Sequence, residues 1–192
     1  MPSILYYTLD LIVGFGLPVV VFARRKRSEW DHRVNKLFWL GSAVGLTWEV
    51  PIFLSAILSS TPVITFIEEP PLDPYVFLIS HTLWDGGLFV GGVLLLRLVF
   101  GKDALQRFQW SELSLLLIWG QLSAFAVEIS SVTSGGWVYV ANHPWNTALF
   151  EVGGHPITAL PQAIWLFAPV VYYWLALKLV HRLQGRVATL SL

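Results

Sequence analysis

Glu49, His81, Asp85, Gln121, Glu128 and Gln162, together with Asp10, are the residues best placed to do chemistry, because each falls inside a long apolar stretch. A carboxylate or imidazole in hydrocarbon costs several kcal/mol unless paired or hydrated, so such groups turn inward and serve a site. His81 and Asp85 are four residues apart, and Gln121 and Glu128 are seven apart; both spacings place the pair on one helical face. Gln162 and Trp165, three apart, also share a face. Glu49 is the strongest candidate. It lies mid-stretch beside Pro51, which frees a backbone carbonyl and bends the helix. Asp10 is close enough to the end of its stretch to reach the interface and is read that way. Glu128 reads equally well as an interface-reaching group or an interior one.

Ten tryptophans accompany these groups. Trp30, Trp110 and Trp137 read as interface anchors, whereas Trp48, Trp84, Trp119 and Trp165 sit deeper. An indole face stabilises a desolvated cation by about 1–2 kcal/mol. In Trp48-Glu49 and Trp84-Asp85 an acid directly follows an indole. A carboxyl or imidazole can give up and recover a proton. Together these groups suit protonation of a carbon–carbon double bond in a lipid, followed by proton loss elsewhere. Glu49, His81 and Asp85 would handle the protons, and Trp48, Trp84 and Trp165 would stabilise the cation. Gln121, Glu128 and Gln162 would orient acids or substrate. Such a reaction needs no cofactor.

Other chemistries are poorly supported. Glu49, His81 and Asp85 could make a three-ligand metal set, but no HExxH or paired-histidine spacing occurs, and no metal is expected. There is no GxSxG elbow for a hydrolase. Cysteine is absent, which removes thiolate nucleophiles and disulfides. Formal net charge is zero, so nothing points to a nucleic-acid partner.

The elements that must position these residues are transmembrane helices. Of the 192 residues 55% are hydrophobic and 12% charged, about half the charge of a soluble domain. Five stretches are long and apolar enough to span a bilayer: 3–23, 37–58, 75–99, 112–132 and 158–180. The first runs into Arg24-Arg25-Lys26-Arg27, the reverse of a signal peptide's charge order, and reads as a retained span. All twelve Lys and Arg fall between spans 1 and 2, around the turn between spans 3 and 4, or at the end of span 5. The positive-inside rule then puts the N-terminus outside and the C-terminus in the cytosol. The outer segments differ in kind. Residues 61–74 read as an extended acidic turn rich in proline, and residues 133–157 as an aromatic interfacial belt rather than a binding lid. The expected fold is all-α, a single integral membrane bundle of five transmembrane helices over residues 1–192.

Four short motifs recur in order along this framework: Glu49 in span 2, Leu83-Trp84-Asp85-Gly86 in span 3, Gly120-Gln121-Leu122-Ser123 in span 4, and Gln162-Ala163-Ile164-Trp165-Leu166-Phe167-Ala168-Pro169 in span 5. The series resembles the emopamil-binding protein family, whose shared domain is called EXPERA. That family includes a sterol Δ8–Δ7 isomerase, non-catalytic relatives and the sigma-two receptor group. The resemblance implies that Glu49 matches the isomerase's span-2 acid, and that Gln162 and Trp165 match its span-5 Asn-x-x-Trp pair. It also departs from the family. Gly45 stands where the isomerase has a histidine, Phe77 where it has a span-3 acid, and Ser80 where it has a threonine. His81 and Asp85 would supply the missing groups from the same helix, which suggests a different substrate. The Trp-Glu pair is also similar to that of small membrane-bound terpene cyclases.

The sequence therefore leads to an isomerase or cyclase for a sterol or terpenoid lipid. A non-catalytic lipid or amine-ligand binder of the same fold is the main competitor. A small transporter or assembly factor is a third reading, although the lack of an internal repeat argues against transport. The expected location is the endoplasmic reticulum in a eukaryote or the inner or plasma membrane in a bacterium. The sequence leaves oligomeric state open, a homodimer included.

Overall fold

A computed structural model describes residues 3–190, with side chains through residue 184. Its five long helices are α1 (Ser3–Arg24), α2 (Glu29–Leu58), α3 (Pro74–Phe100), α4 (Trp110–Thr133) and α5 (Ala159–Leu190). Each is long and apolar enough to cross a membrane. Helix α2 begins eight residues before the expected apolar stretch. Ser28 caps it, its Oγ accepting from the Asp31 N–H at 3.1 Å, so the charged segment 29–36 continues the helix past the apolar region. Helix α5 likewise runs ten residues beyond its expected end.

Helix α3 is the centre of the bundle, packing on α2, α1 and α4, while α5 closes against α4 and α2. Small residues let α2 and α3 come close: a Cβ on Gly41 would lie 2.9 Å from Phe89 Cβ. At one end the turn 101–109 joins α3 to α4. It contains Leu105 at φ 64° and is held by the buried carboxylate of Glu112. Arg97 of α3 lies over the Trp30 ring of α2 at this same end.

The opposite end differs from the expected pair of irregular loops. Strand β1 (Ile64–Phe66) pairs antiparallel with β2 (Trp137–Tyr139), Ile64 opposite Tyr139. Strands β3 (Ala148–Val152) and β4 (His155–Thr158) form a hairpin around Gly153-Gly154, whose φ angles of 60° and 80° suit a two-residue turn. Tyr7 of α1 donates to the Glu68 and Gly136 carbonyls at 2.9 and 3.1 Å and so fastens this layer to the bundle. Asn146, fully buried, donates to the Val140 carbonyl and accepts from the Leu160 N–H, tying the layer to the start of α5.

Candidate functional site

The helices and the β1–β2 ribbon enclose a cavity of about 400 Å³, within the range of small-molecule sites, about 300–1,000 Å³. Its lining is mostly apolar. Leu9, Ala126 and Ser130 line it while also being exposed on the outer surface, so it opens sideways between α1 and α4. Trp48 and Ile164 line both this cavity and an apolar groove between α2 and α5 and form the wall between the two.

His81 is the hub of the polar groups. Its Nδ1 lies 3.8 Å from Glu49 Oε2 and its Nε2 lies 3.6 Å from Asp10 Oδ2. The ring is held edge-on to Phe53 at 5.2 Å and tilted against Trp137 at 5.8 Å. At 1.5 Å per residue, Glu49 lies about 14 Å from the nearer end of α2 and His81 about 10 Å from the start of α3. Asp10 is thus an interior residue, contrary to the interface reading. Helix α1 packs on α3, which turns Asp10 onto Ser80, whose Oγ donates to it at 3.2 Å. The Trp84 indole N–H donates to the Asp10 backbone carbonyl at 3.0 Å.

Asp85 shares the cavity with His81 but turns toward α2. A Cβ on Gly45 would lie 2.9 Å from Asp85 Cγ and closer still to Oδ2, so the carboxyl fills the space a side chain at position 45 would take. Asp85 Oδ2 is buried and has no hydrogen-bond partner in the protein. The three-ligand set of Glu49, His81 and Asp85 is not assembled, and among the described residues no group of three such side chains has metal-site geometry. The other two departures from the resemblance also have defined places. Phe77 is core, packed edge-on against Tyr7 at 5.1 Å, and Ser80 faces Asp10.

Glu128 lies on the α4 wall and lines the cavity, 1% exposed, so of its two sequence readings the interior one holds. Its Oε1 accepts from Thr158 N at 2.8 Å and Thr158 Oγ1 at 3.2 Å, and its Oε2 has no partner. Gln162 is buried behind it. Gln121 does not line the cavity: its Nε2 donates to the Gln162 backbone carbonyl at 3.0 Å and joins α4 to α5. Trp119, one of the deeper tryptophans, is likewise a packing residue, with its indole donating to the Leu88 carbonyl at 2.8 Å.

Behind two of the lining indoles the aromatic packing continues into the core. Trp48 meets Trp165 at 6.0 Å and Phe89 at 6.3 Å, and Phe89 stacks on Tyr172 at 4.2 Å. Trp137 and Tyr139 come from β2, two residues apart and therefore on one face of the strand. Trp137 and Tyr139 are buried and face the cavity, so this part of 133–157 is not an interfacial belt and Trp137 is not a surface anchor. Both rings roof the cavity, and the Trp137 indole N–H is buried without a partner. Burial, then the carboxylates of Glu49, Glu128 and Asp85, hold the Tyr139 phenol well above its usual range. It therefore stays protonated and keeps an O–H to donate.

Trp137 and Tyr139 are the site residues that sequence reasoning missed, and Asp10 is the one it set aside as interface-reaching. Their signals were present but weak: an acid two turns into an apolar helix, and an alternating Trp-Val-Tyr after two glycines. No protein family, curated protein or solved structure matches the chain.

Proposed function

We propose that this chain is a membrane-embedded isomerase or cyclase for a sterol or terpenoid lipid, working by protonation of a double bond. Its five helices cross the bilayer with the N-terminus outside and the C-terminus in the cytosol, as the Lys and Arg placement favours. The observation that carries the reading is the composition of one cavity. It gathers Asp10, Glu49, His81, Asp85 and Glu128 from four helices, together with Trp48, Trp84, Trp137 and Trp165, in an otherwise apolar lining.

The chemistry follows from those groups. An acidic proton held among Glu49, His81 and Asp85 passes to one alkene carbon, and the π pair becomes the new C–H bond. The adjacent carbon is left positive, and the indole faces of Trp48, Trp84 and Trp165 stabilise it. A neighbouring C–H then gives its proton to a carboxylate, and its electron pair becomes the shifted double bond. No electrons are gained or lost overall. In a cyclisation a second alkene supplies the pair that quenches the first cation, and proton loss follows. The resemblance to the emopamil-binding protein family is consistent with this. The Asp85 carboxyl fills from α3 the space that opens at Gly45, where the isomerase has its histidine.

A second reading has its own support. The cavity holds four carboxyl groups against one imidazole, an excess that suits a cation already present in the ligand. A non-catalytic receptor for basic amphiphiles would have this composition. The deciding experiment incubates purified protein in D₂O with a Δ8-sterol and with polyprenyl alkenes and reads the products by mass spectrometry. Carbon-bound deuterium with a moved double bond or a new ring is expected. Tight binding of an alkylamine with no incorporation into any alkene would sink the enzyme reading in favour of the receptor.

A further inference from the structure

The cavity opens on one side and is walled on the other. Helix α1 packs on α2, α2 on α5 and α5 on α4, so the α2–α5 pair faces the α1–α4 opening across the cavity. The side chains of Trp48 and Ile164 close that far side. Each lines the cavity and also lines the apolar groove behind it. The wall is firmly seated. Trp48 is held by Trp165 at 6.0 Å and by Phe89 at 6.3 Å, and both wall residues pack against each of the two larger hydrophobic clusters of the bundle. Behind the wall the groove offers about 600 Å³. It follows α5 from Ala163 to Leu175, about 18 Å at 1.5 Å per residue. Its lining is apolar, and the Thr47 hydroxyl is turned back to the Val44 carbonyl at 2.7 Å.

This arrangement limits what the cavity can hold. A ligand that enters between α1 and α4 meets Trp48 and Ile164 end-on. A flexible hydrocarbon chain fits up to that wall. Each further carbon must displace a packed indole or a branched side chain, and overfilling a packed site is unfavourable. The groove is no outlet while the wall stands, although it lies directly behind. We propose that Trp48 and Ile164 set the upper chain length of a linear isoprenoid ligand, and that the α2–α5 groove is the space their removal would open to it. Of the two lipid classes named above, linear isoprenoids are the one whose members differ chiefly in chain length, the property such a wall sorts. That the ligand is an isoprenoid rests on the function proposed above; the wall itself does not.

The experiment places full-length protein in nanodiscs with equal amounts of geraniol, farnesol, geranylgeraniol and geranylfarnesol, which differ stepwise by one isoprene unit. Native mass spectrometry reads which alcohol is bound. Wild type should hold the shorter members, and occupancy should drop about tenfold at the first one that overruns the wall. Ile164→Ala should move that drop to a longer member by at least one isoprene unit. Trp48→Phe, a milder opening of the same wall, should move it in the same direction. Thermal unfolding and retained binding of the shortest member identify the folded variants. Ala43→Trp fills the groove from its exposed α2 side. Alone it should leave the wild-type limit in place, and combined with Ile164→Ala it should restore that limit. A wild type with no length limit, or with no binding of any of the four alcohols, overturns the proposal. So does an unchanged limit in both wall variants, or an extended limit that Ala43→Trp fails to reverse. A limit that moves as described without deuterium incorporation into any alkene keeps the wall and removes the enzyme reading, whereas incorporation with no length limit does the opposite.

Discussion

At the end of the bundle where α3 turns into α4, Glu112 is completely enclosed and completely partnered. Both its oxygens accept from the Leu105 N–H at 3.2 and 3.3 Å, Oε1 also takes the Gln109 amide at 3.0 Å, and Oε2 takes the Tyr173 hydroxyl at 2.7 Å. Around the cavity Glu49, Asp85 and Glu128 are also buried and far less served. His81 stands 3.6 and 3.8 Å from its carboxylates, and Asp85 Oδ2 and Glu128 Oε2 have no partner at all. Burial is common to both regions, so it is not what marks a site. The difference is in what burial leaves unsatisfied. A fully bonded carboxylate fixes a strained turn, here one with Leu105 at φ 64°. A half-bonded one keeps atoms for a ligand, at a cost in stability that functional sites commonly carry.

If that contrast is right, substitutions in the two regions should differ in sign as well as size. Glu112→Leu strands the Leu105 N–H, the Gln109 amide and the Tyr173 hydroxyl. It should cost about 3 kcal/mol or more and lower the midpoint of thermal unfolding by about 6–12 °C. Turnover per folded molecule should not change. Trp165→Leu keeps an apolar wall but removes an indole face, so turnover should fall about tenfold or somewhat more, the equivalent of 1–2 kcal/mol of lost cation stabilisation, with ligand affinity close to wild type. Asp85→Leu replaces an unpaired buried acid with an apolar group. It should raise stability by about 1 kcal/mol, and the unfolding midpoint by about 2–4 °C, while abolishing activity. A drop in stability for this variant would show that Asp85 belongs with Glu112. Gln121→Ala should be nearly silent, about 0.6 kcal/mol for one interhelical hydrogen bond, with no effect on product. A large activity loss there would return Gln121 to the substrate-orienting role its spacing suggested.

The same contrast explains what could be read from the chain. Spans are a one-dimensional signal of length and apolarity, and each appears in the structure as a continuous helix. The overhang of α2 escaped because hydropathy ends where charge begins, although Ser28 followed by Asp31 was a capping signal. Helical spacing put His81 and Asp85 on one face correctly, but a face is wide. Gly45 on α2, not the partner four residues away, decides where Asp85 points. Asp10 was judged by its distance from a helix end, which carries no information about the helix it meets. Trp137 and Tyr139 sit on a three-residue strand whose pairing with β1 joins segments some 70 residues apart, and no local pattern announces such a pairing. Glu112 opens the fourth span and has partners in the turn before it and far along α5, so its closure is visible only in three dimensions.

The most direct measurement is the amount of carbon-bound deuterium acquired in D₂O per mole of folded protein, for wild type, Glu49→Gln and Glu112→Gln side by side. Removing a positioned proton-transfer group lowers rate by about 10²–10⁴. The account predicts a loss of that size for Glu49→Gln, with ligand binding retained, and wild-type incorporation for whatever Glu112→Gln protein folds. Equal incorporation in wild type and Glu49→Gln would contradict it, because the underpartnered acid at the centre of the cavity would then have no part in the chemistry.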